Sequence, residues 1–448
     1  MHPTLALIVC LPFIAFLWRT AEIDRPRLTR GSWLALFWLL ILSSRPLSYW
    51  LGISSNSGEN DSNLEGNPFE LTILLLQFIT AVVVVHKRNQ SWLSVLKDNP
   101  GITAFYLFLF LTVSWSPFPF VTFKRCVKDI GSLTIVLLIL TEPSYFQAIK
   151  ALLCRCAYVL FPISIIFIKY FPELGRVYSN SGGLQITGVC SQKNTLGEIV
   201  LLFGLALVSD LATSKTENNG KKSRNAVIAK ISTLLMGLWL LYTSDSKTAT
   251  VCLMIGSFII LSPRIPVLRS NPRFLVALIF IGAPTLYILD DTLKISATIF
   301  ELLGRDATLT NRTEIWSAIS QLKPDPWIGS SYLSFWDINS QIALGQYWVS
   351  LKTAHNGYLE IFLDGGILGL VFLGLMLIDV GRRATRMFVS GTDIGRLTFA
   401  IFLVMLIYNI SESMYARRSP LWFVFLLFSV DHLRSRMVGM GQYVRSSR

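Results

Sequence analysis

An all-α polytopic membrane protein with about 12 or 13 transmembrane helices is the fold class that the sequence predicts, and three observations carry it. Only 15% of the 448 residues are charged and 52% are hydrophobic, with a mean hydropathy of +0.53; a soluble domain carries about 25% charged residues. Apolar runs of roughly 16–22 residues recur from end to end, each long enough to cross a hydrocarbon core of ~30 Å. Lys and Arg also concentrate in alternate connectors, the asymmetry that orients membrane helices.

The first run, Thr4–Trp18, has no basic residue before it and is followed at once by Arg19, Arg25, Arg27 and Arg30. A cleaved signal peptide has the reverse polarity, so a retained first helix with its N-terminus outside is expected. Further spans are predicted at Trp33–Gly52, Phe69–Val85, Ile102–Trp115, Ile130–Leu140, Leu152–Phe171, Thr195–Leu211, Ile231–Tyr242 and Thr248–Leu261. Four more follow at Phe274–Leu289, Gly357–Ile378, Leu397–Ile410 and Leu421–Val430. Arg45, before Pro46 in the second run, is the one charge that falls near a span centre, and it is expected to reach an interface by snorkelling.

The basic connectors are Arg19–Arg30, Lys87–Lys97, Lys215–Lys230, Arg264–Arg273, Arg382–Arg396 and the tail Arg434–Arg448. They alternate with weakly basic ones such as Ser54–Pro68, which has three acids and no base. The basic set is therefore assigned to the cytoplasm. Lys124, Arg125, Lys128, Arg417 and Arg418 break the alternation and fall on the outer side. Most of the net charge of +13 then faces anionic headgroups, and no nucleic-acid partner is needed to explain it.

These runs divide the chain into a first helix bundle, 1–289, a loop, 290–355, a last bundle, 356–430, and a basic cytoplasmic tail, 431–448. The loop of about 65 residues is too long for an ordinary connection and too rich in Trp, Phe, Leu and Ile for disorder. It is predicted to fold as a small extracytoplasmic helical cap. The segments Pro172–Asn194 and Thr243–Lys247 share its side of the membrane. Six cysteines lie mostly in or beside apolar runs without zinc-ligand spacing, so no disulfide framework is expected, a Cys126–Cys190 bridge being the one outer pairing to consider.

Four polar segments on the outer side carry the chemistry. His355-Asn356 stands where the long loop re-enters the membrane, followed after nine residues by Gly366 and, two residues on, by Gly369. An imidazole at such a mouth can handle protons or phosphate, or can simply end a helix. Upstream, Thr310 and Asn311 are N-cap candidates for a helix that stops before Pro324-Asp325-Pro326. Arg312 then sits in a first turn whose free N–H groups favour an anion, where a guanidinium can hold phosphate through two hydrogen bonds; the alternative is a surface Arg paired with Asp306 or Glu314. In Gly188–Gly197, Lys193 offers a cation, and Asn194 shares a helical face with Glu198, unless this is an ordinary polar helix entry. Ser244-Asp245-Ser246-Lys247-Thr248-Ala249 forms the outer end of a hairpin.

In this wording and order the four segments resemble the signature of the bacterial O-antigen ligase and O-antigen polymerase superfamily, over roughly Ser179 to Ile378. Lys247 stands where such proteins commonly carry Arg, which leaves a point charge in place of a fork and favours the exopolysaccharide-polymerase branch over the lipopolysaccharide ligases. The resemblance implies an integral membrane glycosyltransferase of surface polysaccharide assembly. Its donor would be a polyprenyl-pyrophosphate-linked glycan and its acceptor a hydroxyl of a glycan or lipid, with polysaccharide-assembly proteins as candidate partners. The implied location is the bacterial cytoplasmic (inner) membrane, with the long loop on the periplasmic or extracellular side.

Glycosyl transfer from a lipid pyrophosphate requires that the leaving group be neutralised and the acceptor hydroxyl lose its proton. His355 and Arg312 are the expected catalytic residues, His355 acting as a base or as a phosphate-binding imidazolium. Lys193, Asn194, Lys247, Asn356 and Glu360, with Arg312, are expected to bind the substrate. The outer loops show no acidic triad or Asp-x-Asp pair, only Asp290-Asp291, so a metal-independent inverting reaction without cofactor is expected. A polysaccharide or lipid-linked oligosaccharide transporter or flippase is the alternative, but such proteins tend to show internal repeats, and none is visible here.

Overall fold

The computed structural model describes residues 2–21, 29–53, 67–88, 90–178, 183–213, 224–262, 312–322, 324–337 and 353–431. In chain order, the helices before the hairpin are α1 (Pro3–Ala21), α2 (Gly31–Leu42), α3 (Leu47–Trp50), α4 (Pro68–Lys87), α5 (Trp92–Asp98), α6 (Pro100–Leu111), α7 (Pro119–Leu140), α8 (Tyr145–Tyr170) and the short α9 (Pro172–Gly175). An antiparallel hairpin of β1 (Arg176–Tyr178) and β2 (Leu184–Ile186) follows. The chain continues with α10 (Lys193–Thr213), α11 (Arg224–Ser244), α12 (Lys247–Leu261), α13 (Arg312–Gln321), α14 (Gly357–Val389), α15 (Asp393–Ser411) and α16 (Pro420–Ser429). This is an all-α polytopic membrane protein, and seven of the described helices are long and apolar enough to cross a membrane. Four shorter apolar segments, Gly31–Leu42, Pro100–Trp115, Lys247–Leu261 and Pro420–Ser429, pack among them.

The helices that are apolar all round lie inside. The membrane-length windows of α8, α10 and α15 are 78%, 78% and 72% buried, against 22% for α1 and α4, which present their apolar sides outward as a lipid-facing helix does. The six cysteines are all buried and free, so Cys126 and Cys190 are not bridged; Cys190 Sγ instead lies 3.5 Å from the Ser43 carbonyl.

Of the predicted spans that differ from the structure, three bear on the site. The run Trp33–Gly52 is not one helix: α2 stops at Leu42, and Pro46 begins the short α3. Arg45, expected to snorkel, is 2% exposed and is satisfied internally by Cys190 O (3.0 Å), Tyr49 Oη (2.8 Å) and Thr187 Oγ1 (3.4 Å). The span predicted at Ile130–Leu140 begins at Pro119, well before its apolar half, because partners elsewhere in the fold take up its polar residues. Asp129, for example, is hydrogen-bonded to the Tyr332 hydroxyl. Finally, α14 is broken at Gly366, whose φ of 60° and ψ of −157° are not helical. The span predicted at Phe274–Leu289 and the tail 431–448 lie outside the described residues, apart from Asp431.

The described helix ends sort into two sets. At one end, Arg88 bonds Glu142 (2.7 Å), Lys230 bonds Asp210 (2.9 Å) and Arg383 bonds Asp379 (3.0 Å). The predicted basic connectors Lys87–Lys97, Lys215–Lys230 and Arg382–Arg396 adjoin these pairs. The opposite end gathers residues 43–53, 112–118, 171–178, 183–192, 324–337, 353–356 and 412–419, and the candidate site is there.

Candidate functional site

At that end, three of the four sequence motifs converge on a segment that carries none of them, Ser411-Glu412-Ser413 at the end of α15. Ser411 Oγ is 2.7 Å from Thr248 Oγ1, beside Lys247 at the start of α12. Asn194, in the first turn of α10, donates its Nδ2 to Glu412 Oε1 at 2.9 Å, while His355 Nδ1 is 3.4 Å from Glu412 Oε2. The backbone N–H of Asn356 donates to Ser413 Oγ at 3.0 Å. Three neighbouring polar side chains thus hold the starts of α10, α12 and α14 in one place. Glu198, one turn below Asn194 on the same face of α10, accepts the Leu421 N–H at 2.7 Å in the first turn of α16. The i,i+4 pair of the sequence therefore pins both ends of the 412–421 connector.

His355 itself is held in an uncommon conformation, with φ of +51°. All five non-glycine residues of positive φ among the described residues, namely Asp245, Ser331, Leu333, His355 and Ala416, lie in loops at this end. Backbone strain of this kind persists only where surrounding contacts impose it, and it collects at functional sites. Asn356 is the cap of α14, its Oδ1 accepting the N–H groups of Tyr358 and Leu359, both at 3.0 Å. The imidazole is partly open, at 29% exposure, whereas Glu412 is 8% exposed. Lys193 is half-buried and Lys247 exposed, and neither side chain has a hydrogen bond or ion pair among the described residues.

Glu360, expected to face a substrate, is turned inward instead. It is 1% exposed and carries an ion pair with Arg417, the Trp336 indole N–H (3.0 Å) and the Ala354 N–H (2.6 Å). Its bonds hold the chain that delivers His355, which is a positioning geometry. Ala354 is tied in turn to α13, since the Trp316 indole N–H donates to its carbonyl at 2.9 Å. Ile315, Ile319, Phe335, Trp336, Ala354 and Leu363 form a small separate apolar core beneath these bonds. The helix opened by Arg312 is therefore docked one residue from His355; the side chain of Arg312 lies outside the described residues.

The segment Pro324-Asp325-Pro326-Trp327-Ile328-Gly329 has a defined mechanical place. At the Gly366 break the carbonyls of Pro326 and Trp327 accept the N–H groups of Ile367 (2.8 Å) and Leu368 (3.1 Å), and the Ser330 N–H donates to Leu363 O (2.9 Å). The loop is thus spliced into the helix, so the backbone groups freed by the break keep partners, as a buried segment requires. Only glycine permits the approach: a Cβ on Gly329 would lie 2.6 Å from backbone atoms of Asp364 and Gly365, and one on Gly366 would overlap the Trp327 carbonyl.

Sequence reading missed Ser411, Glu412 and Ser413. Their only signal was a polar interruption between two apolar runs, in the connector that also holds the outlying Arg417 and Arg418. Among the described residues, no group of three His, Cys, Asp or Glu side chains is arranged to hold a metal ion. In comparisons with known proteins, residues 232–374 match the family model described as O-antigen ligase, an interval running from α11 past the break in α14. It contains Lys247, Arg312, His355, Asn356 and Glu360, whereas Lys193, Asn194 and Glu412 lie beyond it. No curated protein matches the chain.

Proposed function

We propose that this chain, which belongs to the O-antigen ligase superfamily, is a polymerase of surface polysaccharide that moves a glycan from a polyprenyl-pyrophosphate donor to an acceptor hydroxyl. The reaction takes place at the loop-bearing, extracytoplasmic face of the inner membrane. What carries this reading is the Glu412 carboxylate, which joins His355 to Asn194 and so turns two motifs far apart in sequence into one site.

The chemistry follows from that arrangement. When neutral His355 donates its Nδ1–H to Glu412, the lone pair of Nε2 is left for the acceptor hydroxyl, the same orienting logic as a carboxylate behind a catalytic imidazole. The acceptor oxygen bonds to the anomeric carbon as the bond from that carbon to the pyrophosphate oxygen breaks. The acceptor proton passes to His355, and the electron pair leaves on polyprenyl pyrophosphate. Lys193, Lys247 and Arg312 offset the developing charge without a metal. One displacement from the face opposite the leaving group inverts the anomeric centre, whereas retention needs a second nucleophile.

The test uses purified full-length protein with a polyprenyl-pyrophosphate glycan. It should release polyprenyl pyrophosphate and lengthen the glycan with inverted configuration, and EDTA should leave the rate unchanged. His355→Ala should lower the rate by about 10²–10⁴-fold at normal membrane abundance. Activity within a few-fold of wild type would reduce His355 to a helix-end residue. Transfer to a lipid anchor without chain growth would make the enzyme a ligase.

A further inference from the structure

Of the five cations that break the charge alternation, two are used internally. Arg125 bonds the Leu333 carbonyl and lies 3.5 Å from Asp337, and Arg417 pairs with Glu360. The other three, Lys124, Lys128 and Arg418, line the same groove. Lys124 and Lys128 are one turn apart on α7, where like charges repel. Arg418 is exposed, and neither it nor Lys128 has a side-chain hydrogen bond or ion pair among the described residues; Lys124 has only the face of Phe120, 4.9 Å from Nζ.

Beyond the cations the groove is apolar and runs between α4 and α7. Leu71, Leu75 and Phe78 line one wall and Phe123 and Val127 the other. Its floor is kept low by Gly131, where an added Cβ would be 3.3 Å from Trp38 and 3.9 Å from Phe78. The indole N–H of Trp38, itself 2% exposed, has no hydrogen-bond partner among the described residues. The groove is separate from the His355 site, which is built on α10, α12, α14 and α15.

We propose that this groove is a binding site for an anionic glycerophospholipid of the surrounding leaflet, its phosphate held by Lys124, Lys128 and Arg418 and one acyl chain lying along α4 and α7. Charge complementarity selects the headgroup. Glu70 acts on Lys128 and Arg418 and Asp129 on Arg418, but of these only Glu70 stands at the groove beside Leu71, so the groove keeps a surplus of positive charge. Basic residues at a membrane surface favour anionic lipid by ~1 kcal/mol each. The apolar walls select an acyl chain over a soluble phosphate. Arg418 and Glu412 belong to the one connector between α15 and α16, so the bound lipid braces the loop whose other end holds His355. The lipid site does not depend on the glycosyl-transfer reading.

Native mass spectrometry of the purified full-length protein, titrated with phosphatidylglycerol and phosphatidylcholine of identical chains, tests this. Phosphatidylglycerol should be retained tenfold or more over phosphatidylcholine, and K124Q/K128Q/R418Q should bring the two to parity. The single variants Lys128→Gln, at a half-buried position, and Arg418→Gln, at an exposed one, should each lose about fivefold, which keeps the test decisive if the triple variant does not fold. Gly131→Leu, which fills the floor, should weaken both lipids. Equal retention of the two lipids by wild type, or unchanged phosphatidylglycerol binding in the single variants, would overturn the proposal. So would displacement of phosphatidylglycerol by an equimolar polyprenyl phosphate, which would make the groove a prenyl-lipid site.

Discussion

Two apolar runs among the described residues are interrupted, and their breaks are mended by opposite chemistry. Between α2 and α3 a side chain closes the gap: buried Arg45 sends its guanidinium to Cys190 O, Thr187 Oγ1 and Tyr49 Oη, and its backbone N–H to Val189 O at 3.0 Å. In α14 the backbone closes the gap, the 326–330 loop being spliced in at Gly366. Each break seats one outer motif, the first the segment leading to Lys193 and the second the chain beside His355. A side-chain repair can be weakened by degrees. A backbone repair depends on two chains touching, and one added methyl group removes it.

The sharpest way to break this contrast is Gly366→Ala. The residue occupies a region of φ/ψ space open essentially to glycine, and the new Cβ would overlap Trp327, so a loss on the order of 4 kcal/mol is expected. Thermal unfolding of detergent-purified protein should show it as a large drop in midpoint or a collapse in folded yield. An unchanged midpoint would mean that the splice is not needed. Glu360→Ala comes next: it leaves Arg417 and the Trp336 and Ala354 N–H groups without their acceptor. With Arg417 23% exposed, the expected cost is about 3 kcal/mol, below that of a sealed pair.

Arg45→Met should cost about 2 kcal/mol through orphaned acceptors at the α10 entrance, and Arg45→Lys should recover part of it by reaching one of them. If the Met and Lys variants melt together, the graded character assigned to this break is wrong. The smallest effect is expected from Asn356→Ala, which removes only the cap of α14 and should cost about 1 kcal/mol. Its stability and its transfer rate should be measured together. A rate loss far beyond the stability loss would assign Asn356 a part in the site besides capping.

How much of this was legible depends on the range of the forces involved. Gly366 stood out in the sequence as a glycine at a fixed offset from His355-Asn356, but nothing local tied it to Gly329. Arg45 was visible as a charge in an apolar run, but two of its three side-chain partners lie some 140 residues away, so a local reading sent it to the interface. The N-terminal half of α7 was hidden because Lys124, Arg125, Lys128 and Asp129 dilute its hydropathy, and the bonds that settle Arg125 and Asp129 come from residues 332–337. Glu360 looked available because nothing near it in sequence announces Arg417.

The sequence alone determined that this is an all-α membrane protein, which connectors carry the positive charge, and which four polar segments stand between its apolar runs. Those properties depend on composition, on runs the length of a bilayer and on short spacings, all of which are local. Only the tertiary structure decided that Glu412 stands between Asn194 and His355, that Glu360 is buried against Arg417, that a proline loop completes α14, and that three outlying cations share one apolar groove. A carboxylate between two helix starts is chosen by how the helices pack, and packing sums contacts across the whole chain that no single stretch records.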